Sequence, residues 1–188
     1  MNIKLGIAPI AWSNDDMPEL GGDTPIEQCL EEAKQSGFQG IELGGKFPRN
    51  QGITKFLLEK YKLKMPGGWY GSFLRNRSVD DEWQSMQDHI KLLNYVKSDV
   101  FVFADVSGSI QGDESTALSL RPQLKDNEWK EYSKKLSEIS SRLFDIGLPM
   151  SYHEHMGTII QTEEDVNRLM NETNEKTFLL FDTGHLLF

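Results

Sequence analysis

The chain has 188 residues, with 20 Lys plus Arg against 29 Asp plus Glu, a formal net charge of −9, and one cysteine, Cys29. That length holds one domain with a real core, the acidic balance argues against nucleic acid or anionic membrane as a partner, and a lone cysteine excludes an internal disulfide framework. The composition, 38% hydrophobic and 26% charged, is that of a globular protein. No stretch approaches the roughly 20 apolar residues of a membrane span. The N-terminal MNIKLGIAPIAW lacks the pattern of a secretory signal. A cytoplasmic protein is expected.

Short apolar runs alternate with longer stretches of helical spacing. Strands are predicted near Ile3–Ala8, Gly40–Leu43, Leu63–Gly67, Val100–Ala104, Leu148–His153 and Thr177–Phe181. Helices are predicted near Pro25–Ser36, Thr54–Tyr61, Asp80–Val96, Glu128–Ile146 and Glu163–Glu172. Thr24-Pro25-Ile26-Glu27 reads as a capping box with proline at the first helical position. Ser78 to Asp81 and Thr162 to Asp165 are similar starts, and Gly37 and Gly147 are helix stops. Ile26, Leu30 and Ala33, and later Tyr132, Leu136, Ile139 and Leu143, form apolar stripes suited to covering a sheet. Ser107–Lys125, with Gly108, Gly112 and Pro122, reads as a flexible stretch, long enough to be a functional loop or lid.

Strand, helix, strand, repeated, implies parallel strands with right-handed crossovers. No GxGxxG or GxxxxGK[ST] loop follows the first strand, which disfavours a nucleotide-binding sheet. Polar and aromatic residues instead follow each strand, the layout of a (βα)8 TIM barrel active site. A full barrel needs eight units and about 250 residues. Six strands and five helices are expected here, ending at Leu186-Leu187-Phe188. The chain 1–188 therefore reads as a single barrel domain, incomplete at the C-terminus and lacking two or three β/α units, roughly 100 residues.

Three of the four histidines fall in two clusters, Tyr152-His153-Glu154-His155 and Asp182-Thr183-Gly184-His185, one strand–helix unit apart. Imidazoles with a carboxylate suit a divalent transition metal. Alternation along the strand places Met150, Tyr152 and Glu154 on one side and Ser151, His153 and His155 on the other, facing inward. Glu42 ends the second strand and could move protons or bind hydroxyls; pairing with Lys46 is the structural alternative. Lys46 and Arg49 could bind an anionic oxygen. Trp12, Trp69 and Tyr70 could wall a sugar-like ring or pack at the barrel mouth. Asn14 could bind substrate or start a turn before Asp15-Asp16. Cys29, beside Leu30, reads as structural.

These motifs carry a family resemblance. Gly6-Ile7-Ala8-Pro9-Ile10 with Trp12 to Gly22, Gly40 to Pro48, His155-Met156-Gly157-Thr158 and Asp182-Thr183-Gly184-His185 resemble the myo-inosose-2 dehydratases (2-keto-myo-inositol dehydratases) of bacterial inositol catabolism, within the xylose-isomerase-like barrel superfamily. The resemblance implies a (βα)8 barrel and a hydro-lyase that dehydrates 2-keto-myo-inositol through a metal-stabilised enolate and loss of hydroxide. It implies cobalt or manganese as cofactor, with glutathione also associated. In the superfamily four ligands, typically Glu, Asp, His and Glu, close the last four strands. By position His153 replaces the first, and Asp182 matches the second and is the most secure. Gln161 stands where some relatives carry a carboxylate. His153, His155, His185 and Glu42 are candidates for the proton work; Trp12, Asn14, Lys46 and Trp69 for substrate. The expected partner is a small keto-polyol, with homo-oligomer formation left open. A sugar isomerase or epimerase of the same superfamily, or an inactive barrel fragment acting as a binding module, are the alternatives.

Overall fold

The computed structural model describes residues 3–187. Met1, Asn2 and Phe188, which the expected domain 1–188 includes, lie outside the described residues. Among the described residues the chain forms six strands and five α-helices: β1 (Gly6–Ile7), α1 (Ile26–Gln35), β2 (Gly40–Ile41), α2 (Gln51–Tyr61), β3 (Trp69–Ser72), α3 (Val79–Val96), β4 (Phe101–Asp105), α4 (Asp126–Asp145), β5 (Met150–His153), α5 (Glu163–Glu172) and β6 (Phe178–Leu180). They divide into two compact units. The first comprises residues up to Trp69 together with Asp88–Val100, the second Tyr70–Gln87 together with the residues from Phe101 onward. No described helix is long and apolar enough to cross a membrane.

In the first unit β1 pairs in parallel with β2, Gly6 opposite Gly40 and Ile7 opposite Ile41. The expected stripe of α1 is buried at Leu30 and Ala33, joined by Cys29, against a core that includes Ile41, Leu43, Leu57 and Leu58. Each fully buried aliphatic side chain contributes about 1.5–3 kcal/mol. Cys29 is thus a packing residue.

Two sequence expectations are corrected here. The third strand does not run over Leu63–Gly67; that segment makes only isolated parallel bridges, Gly40 with Lys64 and Leu43 with Gly68. Pro66 has no N–H to give a ladder, and its carbonyl accepts from the N–H groups of Asp99 and Val100. The ladder of β3 begins at Trp69. The capping box at Thr24 does not form either. Pro25 is itself the cap residue, in an extended conformation, with no side-chain cap. Its carbonyl takes the N–H groups of Gln28 and Cys29, so Thr24 and Glu27 each sit one position too early for the reciprocal bonds.

In the second unit the sheet order is β3-β4-β5-β6, the order of the chain. β4 and β5 are parallel with Phe101 opposite Met150, and β5 and β6 are parallel with His153 opposite Leu180. All five residues of β4 are buried, as a parallel strand covered on both faces requires. The stripe of α4 is buried as expected at Tyr132, Leu136, Ile139 and Leu143. Helix α5 starts on a reciprocal capping box: Thr162 Oγ1 accepts from Asp165 N and Asp165 Oδ2 from Thr162 N.

Candidate metal centre

β5 alternates as its pattern predicts. Met150 and Tyr152 are buried, while Ser151 and His153 are partly open. Beyond the strand His155 is also partly open, and Glu154 stays on the buried side with no exposed surface. The parallel register with β6 carries Asp182 to the same sheet end as His155. There the chain turns. Asp182 Oδ1 accepts the N–H groups of Gly184 and His185 at 2.8 and 3.0 Å, starting the short 3-10 turn His185–Leu187. This turn brings His185 back over β5. Its ring stacks on His153, centroids 5.1 Å apart and planes 3° from parallel, and meets His155 edge-on at 4.6 Å. One nitrogen from each of His153, His155 and His185 lies within 4.8 Å of the other two.

Hydrogen bonds decide which nitrogens face one another. His155 Nδ1 lies 2.9 Å from the Met156 carbonyl, and His185 Nδ1 3.2 Å from the Glu154 carbonyl. A carbonyl can only accept, so both Nδ1 atoms carry hydrogen, which leaves Nε2 as the ring nitrogen able to act as a ligand atom. That is the arrangement metal-binding imidazoles use. His153 lacks such a partner: its Nδ1 is buried without a hydrogen bond. Burial, then the neighbouring His155 and His185, push its pKa down to about 4, so it is neutral at pH 7. Burial would raise the Asp182 carboxyl, but the N–H groups of His185 and Gly184 outweigh it and hold the carboxyl below its ordinary value. The expected ligand pair, His153 and Asp182, thus sits in a trio of imidazoles in which Asp182 spends one oxygen on the turn. Asp182 Oδ2 stands 3.9 Å from His185 Nδ1.

The candidates of the first unit divide. Trp12 donates its indole N–H to Glu32 of α1. Asn14 Oδ1 accepts from the N–H groups of Asp16 and Met17, so its side chain builds a turn. Lys46 donates to the Gly22 carbonyl rather than to Glu42. Trp69 is half-buried at the head of β3. Glu42 differs from these: its backbone N–H donates to the Ile7 carbonyl at 3.0 Å, while its carboxyl makes no hydrogen bond and no ion pair with the described residues. Burial, and secondarily the Asp15 carboxylate, push its pKa up to about 7. A carboxyl of that pKa exchanges protons readily at neutral pH.

Two features went unread in the sequence. The segment after β4 is pinned rather than loose. Arg121 is buried, donates to the carbonyls of Thr158 and Ile159 at 3.1 Å each, and pairs with Asp165 at 2.6 Å. It thereby holds the turn that follows His155. The other is Glu154, whose two carboxylate oxygens are buried without a hydrogen bond. Strand parity gave its side of the sheet, but an orphaned carboxylate leaves no mark in a sequence.

No family model matches the chain. Curated relatives match along its whole length. The "Rhizopine catabolism protein MocC" of Rhizobium meliloti is 44% identical over 188 residues, 100% of this chain and 58% of its own. An inosose dehydratase of Clostridium perfringens is 38% identical over 100% of this chain and 64% of its own. One of Geobacillus thermodenitrificans is 40% identical over 99% and 63%. The chain thus spans about three-fifths of the length of these relatives. Among solved structures, the probable 3-DHS dehydratase AsbF of Bacillus anthracis superposes with a TM-score of 0.72 at 14% identity, over 98% of this chain and 65% of its own. D-psicose 3-epimerase of Clostridium cellulolyticum superposes with a TM-score of 0.67 at 12% identity, over 97% and 64%. The resemblance carried by the motifs therefore extends along the chain, and the fold is that of the xylose isomerase-like TIM barrels, of which six strands and five helices are present among the described residues.

Proposed function

We propose that this chain is the larger part of a hydro-lyase that removes water from an inosose, a cyclic keto-polyol, in inositol catabolism. The observation that carries the reading is the similarity to inosose dehydratases of 36–40% identity across the chain. The epimerases share the fold at far lower identity, so the dehydratase reading is favoured over isomerisation.

The residues present fit a divalent transition metal. Three imidazoles converge, two with Nδ1 held by carbonyls, and the third has a buried Nδ1 without a hydrogen bond. His153, His155 and His185 would hold the ion, and an imidazole set suits cobalt better than manganese, which favours oxygen ligands. When bound, such an ion supplies Lewis acidity toward a ketone oxygen and so acidifies the adjacent C–H. The chain's own part is to hold the three rings by the Met156 and Glu154 carbonyls and by the Asp182 turn. In the first unit, Glu42 is a candidate for proton work, and its pKa near 7 suits a group that accepts and returns a proton.

The test is incubation of the purified protein with 2-keto-myo-inositol and, in parallel, with a ketohexose, each with cobalt or manganese, following the dehydrated dione by its absorbance and the sugar products by NMR. Dione formation that disappears on chelation is expected. Epimerised ketohexose with no dione would overturn the reading in favour of an epimerase, and no turnover of either would favour a binding module.

A further inference from the structure

We infer that Glu154 is the positioning residue for His153: its carboxylate takes the Nδ1–H of that ring and so aims Nε2 at the cation. The inference deepens the metal reading above and rests on it.

Two of the three rings already have their orienting acceptor, the carbonyls of Met156 and Glu154. The third does not. His153 Nδ1 is buried without a partner, and so are both carboxylate oxygens of Glu154. These two orphans face each other, Nδ1 and Oε2 being 4.0 Å apart, with Glu154 0% exposed. Water does not reach the pair, so each must find its partner inside the protein or stay unsatisfied. A closure of about 1 Å makes a charge-assisted hydrogen bond of ordinary length.

Metal binding supplies the reason to close. A cation on Nε2 withdraws electron density from the ring and makes Nδ1–H a stronger donor. It also adds positive charge beside the buried carboxylate. Carboxylate, imidazole and metal in line is a common outer-shell arrangement, and losing the carboxylate typically weakens metal affinity 10–100-fold. Glu154 would then serve two rings at once, His185 through its carbonyl and His153 through its side chain. Position 154 is placed for this because β5 ends at His153. The backbone is no longer held in the ladder there, and the side chain can lean toward its neighbour's ring.

Cobalt(II) chloride alone is the probe, titrated into the purified parent protein, Glu154→Gln and Glu154→Ala and followed by d–d absorption, with thermal melting of each metal-free protein alongside. Glutamine preserves the volume, so it keeps the variant falsifiable if alanine does not fold. The expected result is a 10–100-fold weaker cobalt affinity for Glu154→Gln with a changed d–d spectrum, while its metal-free melting temperature stays level or rises, since an unpaired buried carboxylate has gone. Parent-like affinity in Glu154→Gln overturns the inference. So does a loss of affinity matched by a lowered metal-free melting temperature, which marks a merely structural residue. Absence of cobalt binding by the parent overturns this inference and the metal reading together. Cobalt binding without dione formation counts against the proposed activity alone.

Discussion

Arg121 is a cation whose removal can be costed from its contacts. Its side chain is 8% exposed and its ion-pair partner Asp165 17%. Arg121→Ala removes four donated bonds: to Asp165 at 2.6 Å, to the carbonyls of Thr158 and Ile159 at 3.1 Å each, and a longer one to the Pro122 carbonyl at 3.4 Å. Asp165 is not stranded, because Gln161 N and Thr162 N still donate to the same oxygen. The two carbonyls lose their donor at residues that are 1% exposed. Breaking a buried pair by removing one partner costs about 3–5 kcal/mol. Two unsatisfied buried acceptors at about 1–3 kcal/mol each give about 2–6 kcal/mol, a range that brackets it. For a chain of this size each kcal/mol lowers the melting temperature by about 2–4 °C, so a fall of roughly 6–20 °C is expected. Arg121→Lys should recover part of it, since a point charge cannot fork to a carboxylate and two carbonyls together. Arg142→Ala, which breaks pairs with the exposed Asp80 and Glu138, is the surface control and should cost less than about 1 kcal/mol. Urea unfolding of the three variants measures all of this. A loss for Arg121→Ala no larger than for Arg142→Ala would refute the claim that this arginine pins the turn after His155.

Glu42 has a folded pKa of about 7 against an ordinary 4.5. Its raised value contributes no penalty below pH 4.5 and costs about 3 kcal/mol above pH 7, since 2.5 units at 1.36 kcal/mol each is about 3.4. Glu42→Gln should therefore stabilise the protein at pH 8.5 and leave it unchanged at pH 4, read by urea unfolding at the two pH values. His89, neutral with Nε2 on the Gly68 carbonyl, is held down to about 4 by burial first. Its stability contribution is intact above pH 6.5 and lost as pH falls toward 4, by about 3 kcal/mol, and His89→Gln should flatten that acid limb. Gly21 has φ +74° and a Cβ there would meet the Trp12 carbonyl, whereas Gly37 has φ +89° with open space around it. Gly21→Ala should cost about 2–5 kcal/mol, from strain plus a clash, and Gly37→Ala about 1–2 from strain alone, checked by melting both.

What could be read in advance was whatever local periodicity or local hydrogen bonding decides. Helix α5 was legible to its ends because Thr162 and Asp165 carry its start within four residues. Parity along Met150 to His153 gave the correct faces of β5, and two histidine clusters one unit apart gave the sheet end where they meet. Contacts between distant segments left no such mark. Trp12 is tied to Glu32 twenty positions on, and Arg121 to Asp165 forty-four on. Lys46 stands four residues from Glu42 and looked like its partner, yet the chain leaving β2 carries its ammonium to the Gly22 carbonyl. The third strand was misplaced because Leu63 and Met65 alternate as a strand should, while Pro66 between Met65 and Gly67 breaks the ladder.

The resemblance implies that Asp182 is a metal ligand. In the structure its Oδ1 accepts two backbone N–H groups and shapes the turn that delivers His185. Asparagine has the same Oδ1 acceptor and forms the same kind of turn, whereas alanine has none. If the turn is what the site needs from position 182, Asp182→Asn should keep cobalt affinity close to that of the parent, and Asp182→Ala should lose it as His185 drifts from His153. The stacking of the two rings at 5.1 Å depends on that turn alone among the contacts of the His185 backbone N–H. If the carboxylate itself coordinates through Oδ2, asparagine should be as damaging as alanine, because a neutral amide is a poor replacement for an anionic ligand. Cobalt titration of the two variants, with 15N shifts of the histidine rings to report whether His185 keeps its Nδ1 hydrogen on the Glu154 carbonyl, separates a residue that builds the site from one that binds in it. Equal loss in both variants, with the His185 tautomer unchanged in asparagine, would return Asp182 to the ligand shell.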